Sequence, residues 1–205
     1  MMSKDEIRSG NRRARRALTQ EQLEDAGQGI AHQGLAWAAA LANASDKGEA
    51  ATFAVYVGVS SEPPTMPLLA ALHAAGHSVL LPVCEPERRL SWVRWTPETR
   101  FVRSKYAPID EPLGERFDKE VVMDAAGIFL PATAVDGSGN RIGQGGGYYD
   151  RLLDELDGAG RRPPTVAVVF DHEVLPAGTI PAEAFDKRVE AALTPRRIVE
   201  LGRES

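Results

Sequence analysis

Short apolar segments alternate with helix-patterned ones along this chain, and this alternation restricts the fold more than any other feature. Segments 50–59, 78–83 and 165–170 are rich in β-branched and other apolar residues, which is typical of buried strands. The helix-patterned segment 66–75 separates the first two and ends at Gly76, a residue suited to a helix C-terminus. Strand, helix and strand in succession predict a parallel βαβ unit.

A second unit of the same kind is predicted further along the chain. An apolar strand at 127–130 ends at Pro131, a long loop occupies 136–147, and a helix at 148–156 leads to the strand at 165–170. Because open α/β sheets bind ligands where strands run into the following loops, this loop is the first place to look for a site. We predict a three-layer α/β/α architecture with an open, mainly parallel, Rossmann-like sheet and a helical N-terminus.

The N-terminal 44 residues are predicted to be helical, in two segments that break near Leu18 and Thr19. Ser3 followed by Glu6 has the spacing of a capping box, and Thr19 followed by Gln22 repeats that signal at the start of the second segment. Two helices are therefore predicted to precede the first strand.

The remaining segments complete a single domain. Residues 43–49 are predicted to form a loop, 90–95 a strand, and the Pro-rich and charged stretch 96–115 a loop. The chain has 205 residues, enough for one hydrophobic core. We therefore predict one domain that spans residues 1–205.

Composition excludes several functional classes. With 24 Lys+Arg against 29 Asp+Glu and a net charge of −5, the chain lacks the basic balance of a general nucleic-acid-binding protein. One cysteine permits neither a disulfide framework nor a Cys-rich zinc site. No apolar run approaches the roughly 20 residues that span a bilayer, and the charged N-terminus is unlike a signal peptide. We expect a cytoplasmic monomer that acts on small molecules, without a membrane or nucleic-acid partner.

Residues 143–147 contain four glycines in five positions, directly before a predicted helix. Glycine costs backbone entropy but permits positive φ angles, so main-chain N–H groups can converge on one point. At a helix N-terminus, these donors and the helix dipole form a site suited to phosphate. Arg141 adds a planar phosphate donor, and Asp150 is a hard oxygen ligand for a bridging Mg²⁺ ion.

Other interpretations of this segment remain open. It is not a Walker A loop, since no Gly-Lys-Ser/Thr follows, and it resembles a dinucleotide fingerprint only loosely. A flexible surface loop, or a hairpin turn at 136–140, would account for the glycines without any ligand. The neighbouring Tyr148 and Tyr149 favour the phosphate site, because exposed linkers seldom carry adjacent tyrosines.

The residues around this loop resemble the signature of a known family. They are Phe129-Leu130-Pro131, Asp136, Gly139, Arg141 and the run Gly147-Tyr148-Tyr149-Asp150-Arg151. This pattern is similar to that of the 5-formyltetrahydrofolate cyclo-ligase (5,10-methenyltetrahydrofolate synthetase) family, and further matches extend over nearly the whole chain. The resemblance implies an enzyme that uses ATP to convert 5-formyltetrahydrofolate to 5,10-methenyltetrahydrofolate. ADP and phosphate are released, through phosphorylation of the formyl oxygen and ring closure.

The resemblance implies a nucleotide site that begins at the N-terminus. Lys4 and Arg8 match family residues that contact ATP, and residues four apart share one helix face. Arg12 and Arg15 continue that face. Taken alone, these charges describe a solvated basic helix surface. The implied ATP contacts are Lys4, Arg8, Arg141, Ile142, Gly143, Gln144, Gly145, Gly146, Gly147, Tyr148 and Tyr149.

The folate site is implied by residues that follow the first strand. Val57 and Glu62 match family positions that contact the folate, and Tyr149 is implied to join them. Arg141 and Tyr149 are the implied catalytic residues. A simpler interpretation of Glu62 is an acid stabilised by the dipole at the start of the next helix.

Asp150 and Asp186 are the implied ligands of Mg²⁺, the expected metal beside the co-substrate ATP. Asp186 lies in a C-terminal segment that departs from the family pattern, with Phe185 for the usual His and Glu190 for the usual Asp. Gln144 stands in the loop where Tyr or Arg is common. These departures put the metal geometry and the nucleotide contacts in question.

The departures also motivate an alternative function, a non-catalytic sensor or binding module for a folate or a phosphorylated metabolite on the same scaffold. A sugar-phosphate isomerase-like enzyme on a related α/β fold is a third possibility, but it leaves Lys4 and Arg8 without a task. Cys84, at the end of a strand, is interpreted as buried structure rather than a nucleophile. Trp92 and Trp95 are interpreted as core residues.

Overall fold

The computed structural model describes residues 2–44, 50–183 and 186–202. Its α-helices are α1 (Lys4–Arg16), α2 (Gln20–Ala44), α3 (Met66–Ala74), α4 (Glu120–Met123) and α5 (Tyr148–Gly158). Its strands are β1 (Thr52–Ala54), β2 (Ser78–Glu85), β3 (Arg89–Trp95), β4 (Phe101–Arg103), β5 (Asp110–Pro112), β6 (Gly127–Pro131), β7 (Ala134–Asp136), β8 (Arg141–Ile142), β9 (Thr165–Val168), β10 (Val174–Leu175), β11 (Ala191–Leu193) and β12 (Ile198–Glu200).

Seven strands form the central sheet in the order β12-β11-β9-β6-β1-β2-β3. The pairs β1–β2 and β6–β9 are parallel, which confirms both predicted βαβ units. Only the edge strands β3 and β12 pair antiparallel to their neighbours. The chain runs outward from β1 to β3 and then returns to β6 on the other side of β1. This reversal is the switch point at which open α/β sheets bind ligands.

The two faces of the sheet carry separate hydrophobic clusters. Phe53 and Phe129 point to the side covered by α2 and α3, whereas their neighbours Ala54 and Leu130 point to the side covered by α5. This alternation follows from the two-residue period of a strand, with both faces buried as in parallel sheets. The predicted three-layer architecture is confirmed. Both tryptophans assigned to the core, Trp92 and Trp95, are buried there.

The N-terminus consists of two helices, as predicted, with the break at residues 17–19. The Ser3–Glu6 capping box is present at the start of α1. The apolar side of α1 presents Ile7 to a small cluster that includes Ile142 and Ile180. Of the described helices, none combines the length and the apolar character that crossing a membrane requires. Residues 45–49 of the predicted loop lie outside the described residues.

Two segments predicted to be loops contain hairpins, and one strand is shorter than predicted. Within 96–115, β4 and β5 pair antiparallel. Within 136–147, β8 pairs with β7, and β10 extends them to a three-stranded sheet. Such strands of two or three residues are too short for an alternating pattern to be recognised. The predicted strand 50–59 is regular only over β1. One further hydrogen bond, from Val55 N–H to the Leu80 carbonyl (2.9 Å), follows before the chain leaves the sheet.

Candidate functional site

A cavity of about 1350 Å³ lies at the switch point, lined by residues that follow the carboxyl ends of β1 and β6. A site for one small ligand has a volume of roughly 300–1000 Å³, so this cavity has room for two. Every site residue predicted from the sequence lines it: Lys4, Arg8, Val57, Glu62, Arg141, Ile142, Gly143, Gln144, Gly145, Gly146, Gly147, Tyr148, Tyr149, Asp150 and Asp186.

The glycine-rich loop connects β8 to α5 along this cavity. Gly145 and Gly147 have φ angles of 98° and 72°, which favour glycine because a Cβ would be strained there. Gly147 is the N-cap of α5, and no side chain among the described residues caps this end. The first N–H groups of α5 therefore remain for an anion, as the phosphate interpretation requires.

Asp136, although part of the family-like signature, has a structural role. Its Oδ1 accepts hydrogen bonds from the N–H groups of Ser138 and Asn140, both at 3.1 Å, and Oδ2 accepts one from Ile180 N–H at 3.0 Å. Asp136 is fully buried and closes the turn of the β7–β8 hairpin. The hairpin turn considered for 136–140 thus exists, and it precedes the glycine-rich loop rather than replacing it.

Helix α1 lies against the loop and contacts both its backbone and the Gln144 side chain. Arg8 Nε donates to the Gly143 carbonyl at 3.1 Å, and an Arg12 guanidinium nitrogen donates to Gln144 Oε1 at 3.0 Å. Lys4 Nζ lies 2.6 Å from Asp186 Oδ2. The face predicted from the spacing of Lys4 and Arg8 therefore points at the cavity and is not a solvated surface.

Arg15 also borders the cavity, but it differs from the other cations of this face because its side chain is almost fully buried. Its side chain is buried and donates to both carboxylate oxygens of Glu173, at 2.6 and 2.8 Å, and to the Ala132 carbonyl at 2.7 Å. Burial alone would lower the pKa of Arg15, but the hydrogen bonds and charge of Glu173 outweigh it and raise that pKa. Through Nε and one terminal nitrogen, Arg15 anchors α1 to the central sheet and to the segment that carries Glu173.

The two predicted metal ligands are each paired with a predicted phosphate-binding cation. Asp150 Oδ1 accepts from Arg141 at 2.7 Å, and Asp186 pairs with Lys4. Two carboxylates on one cavity are suitable oxygen donors for Mg²⁺, which takes its remaining ligands from water and phosphate. Among the described residues, no cluster of three or more His, Cys, Asp or Glu side chains could hold a metal by itself. The donor set therefore fits a metal that arrives with phosphate.

Glu62 lies beside the glycine-rich loop. Its Oε1 accepts from Gln144 Nε2 at 2.6 Å, and Oε2 accepts from Val59 N–H at 3.1 Å. Burial raises the pKa of Glu62, and these two hydrogen bonds partly oppose the rise. The carboxylate closes a turn four residues before α3 begins at Met66, so the interpretation as a helix-start acid is wrong.

Gln144 and Glu190 show what the departures from the family pattern do. Gln144 links Glu62 to Arg12 through its side-chain amide. Glu190 accepts from Thr165 N–H at 2.9 Å and does not line the cavity, so this change concerns the start of β9 and not the metal. Phe185 lies outside the described residues.

The cavity is also lined by residues that the sequence did not assign to the site. Arg88 lies in the turn between β2 and β3, and its guanidinium nitrogen is 3.4 Å from where a Cβ on Gly147 would be. Tyr56 precedes Val57, and Tyr106 belongs to the β4–β5 hairpin. Cys84 also borders the cavity, where burial raises the pKa of its thiol to about 12, which disfavours the reactive thiolate. Tyr106 lies in the segment Lys105-Tyr106-Ala107-Pro108, which resembles the family only weakly, and Arg88 has no sequence signal because the turn between β2 and β3 brings it here.

Comparison with known proteins identifies the same family that the sequence resembles. The model of the 5-formyltetrahydrofolate cyclo-ligase family matches residues 1–195. The 5-formyltetrahydrofolate cyclo-ligase of Mycolicibacterium smegmatis is 38% identical over 151 residues, 71% of this chain and 74% of that protein. The Escherichia coli protein of the same name is 30% identical over 191 residues, 92% of this chain and 98% of that protein.

Solved structures show the same fold. The 5,10-methenyltetrahydrofolate synthetase of Aquifex aeolicus matches with a TM-score of 0.68 and 25% identity, covering 100% of this chain and 95% of that one. The synthetase of Mycoplasma pneumoniae matches with a TM-score of 0.68 at 17% identity, over 95% of this chain and 99% of that one. These matches favour the catalytic interpretation over the sensor. The chain belongs to the 5-formyltetrahydrofolate cyclo-ligase family.

Proposed function

We propose that this cavity binds ATP and 5-formyltetrahydrofolate side by side and transfers the γ-phosphoryl group to the formyl oxygen. One observation carries the proposal: Gln144 of the glycine-rich loop donates a 2.6 Å hydrogen bond to Glu62. The loop suited to phosphate and the acid implied to bind folate are thus joined by a single contact. Direct transfer between two substrates requires such adjacency, since the reacting atoms must come within about 3–3.5 Å.

The chemistry explains why the protein needs no nucleophile of its own. A formamide carbon is a poor electrophile, and its oxygen is a poor leaving group. When the formyl oxygen accepts the γ-phosphoryl group, ADP departs. N10 then attacks the formyl carbon and closes the ring. N10 loses its proton to solvent, the C–O bond breaks and phosphate leaves. The protein contributes position and charge stabilisation, as in other phosphoryl transfers.

The cavity residues divide this work between them. Lys4, Arg8 and Arg141, together with the loop N–H groups, bind the phosphates of the nucleotide. Asp150 and Asp186 would hold Mg²⁺, which neutralises phosphate charge when bound. The folate contacts are Val57, Glu62 and Tyr149, and Arg141 and Tyr149 lie where the two substrates meet. Closure of these groups around both substrates would exclude water from the transferred phosphoryl group.

The proposal is tested by mixing purified protein with ATP, Mg²⁺ and 5-formyltetrahydrofolate and following methenyl absorbance in the near ultraviolet. The absorbance should appear only when all three are present. Asp150→Asn removes a proposed Mg²⁺ ligand and should lower turnover by at least about a hundredfold, because the metal then no longer neutralises the phosphate charge. Asp157→Asn is the matched control on α5, since Asp157 contacts Arg162 and Lys187 outside the cavity. Folded protein without any absorbance change would refute the proposal.

A calorimetric measurement separates catalysis from sensing. A sensor releases folate unchanged and does not consume ATP, whereas the proposed enzyme hydrolyses the terminal phosphate bond only when the folate is present. Folate binding without any ATP consumption, measured at saturating ATP, would favour the binding module.

A further inference from the structure

The described residues contain seven buried side-chain polar atoms without a hydrogen-bond partner. Four of them belong to residues away from the cavity, and three belong to residues that line it: Tyr56, Arg141 and Tyr149. A buried polar group without a partner is costly, so such groups at a cavity wall indicate a ligand that completes them. Arg141 and Tyr149 already have implied roles, but Tyr56 has none.

Tyr56 is held firmly in position between the core and the cavity. Its carbonyl accepts a 2.6 Å hydrogen bond from Thr65 Oγ1, and its ring packs in the cluster between the sheet and α2–α3. Only 4% of the residue is exposed. Phenylalanine would fill the same core volume at less cost, so the hydroxyl is the feature that needs an explanation.

The surroundings of Tyr56 keep its hydroxyl a hydrogen-bond donor. Burial raises the pKa of Tyr56 well above its ordinary value, and the negative charge of Glu62 adds to the rise. The phenol therefore stays protonated, and it can offer a proton to an acceptor on a bound ligand. Two of the groups that raise this pKa, Glu62 and Tyr149, are implied folate contacts, whereas Arg15, which also lines the cavity, opposes the rise.

We propose that the Tyr56 hydroxyl donates a hydrogen bond to an acceptor atom of the bicyclic ring of the folate substrate. The inference rests on the proposed function, which puts folate beside Val57 and Glu62. A reduced pterin ring carries a carbonyl oxygen and ring nitrogens that lose their water on entering the cavity. The buried Tyr56 hydroxyl would contribute specificity for such a ring, because a ligand without the acceptor atom leaves the hydroxyl without a hydrogen bond.

Tyr56→Phe tests this through melting temperature and folate affinity. Loss of a structural hydrogen bond would lower the melting temperature, whereas loss of a ligand contact would lower folate affinity. Because the hydroxyl has no partner in the free protein, the variant should melt at the wild-type temperature or above it. Its dissociation constant and KM for 5-formyltetrahydrofolate should rise roughly 3–30-fold, while the KM for ATP stays at the wild-type value. Binding is measured by calorimetry without ATP, and KM from methenyl absorbance.

Thr133→Val is the matched control, since Thr133 Oγ1 is also buried without a partner but does not line the cavity. It should leave folate affinity unchanged. A Tyr56→Phe variant with wild-type folate affinity would overturn the inference and leave the proposed function intact. A clear loss of melting temperature would also overturn it, because the hydroxyl would then have a structural partner. Wild-type protein that binds no folate would overturn both.

Discussion

The buried pair of Arg15 and Glu173 offers a quantitative test of how α1 is attached. The two side chains are 1% and 0% exposed, and they are joined by two hydrogen bonds, at 2.6 and 2.8 Å. Arg15 also lies over the Phe170 ring, 5.7 Å from its centroid. Replacing Arg15 by Met keeps most of the side-chain volume but leaves the Glu173 carboxylate buried without its cation.

The expected cost follows from that unpaired charge. Removing one partner of a buried ion pair costs about 3–5 kcal/mol. For a chain of this size each kcal/mol corresponds to about 2–4 °C in melting temperature, so Arg15→Met should melt roughly 6–20 °C below wild type. Since α1 also carries Lys4 and Arg8, the KM for ATP should rise more than the KM for folate.

A second substitution separates charge from volume. Adding Glu173→Gln removes the unpaired charge and keeps an oxygen that can accept from Phe170 N–H, which donates to Glu173 at 2.9 Å. The double variant should therefore recover at least half of the lost stability, measured by urea unfolding monitored by circular dichroism. A single variant as stable as wild type would show that the pair does not anchor α1. A double variant no better than the single would show that lost contacts, and not the charge, cause the effect.

Two further predictions concern Glu62 and the turn that carries it. Gln144→Ala removes a hydrogen bond that lowers the pKa of Glu62, so that pKa should rise and the acid limb of kcat/KM for folate should move to higher pH. An unmoved limb would mean that Glu62 does not titrate in the reaction. Gly58→Ala places a Cβ 2.2 Å from the Pro63 carbonyl and should cost about 1–3 kcal/mol in urea unfolding. Gly10→Ala, with open space around it, should not destabilise.

The sequence was sufficient for the architecture because that depends on local patterns. Strands buried on both faces appear as continuous apolar runs, and both βαβ units follow from their spacing with helices. The site followed as well, since the glycine-rich loop and Glu62 lie just beyond strand ends that a parallel sheet brings to one edge. Lys4 and Asp186, which follow no strand of the sheet, were assigned to the same site only through the family resemblance.

Two kinds of feature could not be obtained this way. The position of the Arg15 side chain depends on Glu173, which is 158 residues away. The spacing of Arg15 from Arg12 describes only the helix surface. Likewise, the unpaired hydroxyl of Tyr56 is a property of the folded cavity. In the sequence Tyr56 is one aromatic residue in an apolar run, where core packing is the natural interpretation.

The ion pairs across the cavity bear on how the substrates would bind under the proposed function. Lys4 pairs with Asp186 and Arg141 with Asp150, so two of the three proposed phosphate-binding cations are held by carboxylates implied to bind metal. ATP alone would draw the cations away and leave the carboxylates facing phosphate of like charge. Mg²⁺ alone would compete with two cations for the same oxygens. The Mg²⁺ complex of ATP supplies a new partner to every member of both pairs at once, since phosphate takes the cations and the metal takes the carboxylates. The free site is therefore balanced in charge for a nucleotide that arrives with its metal.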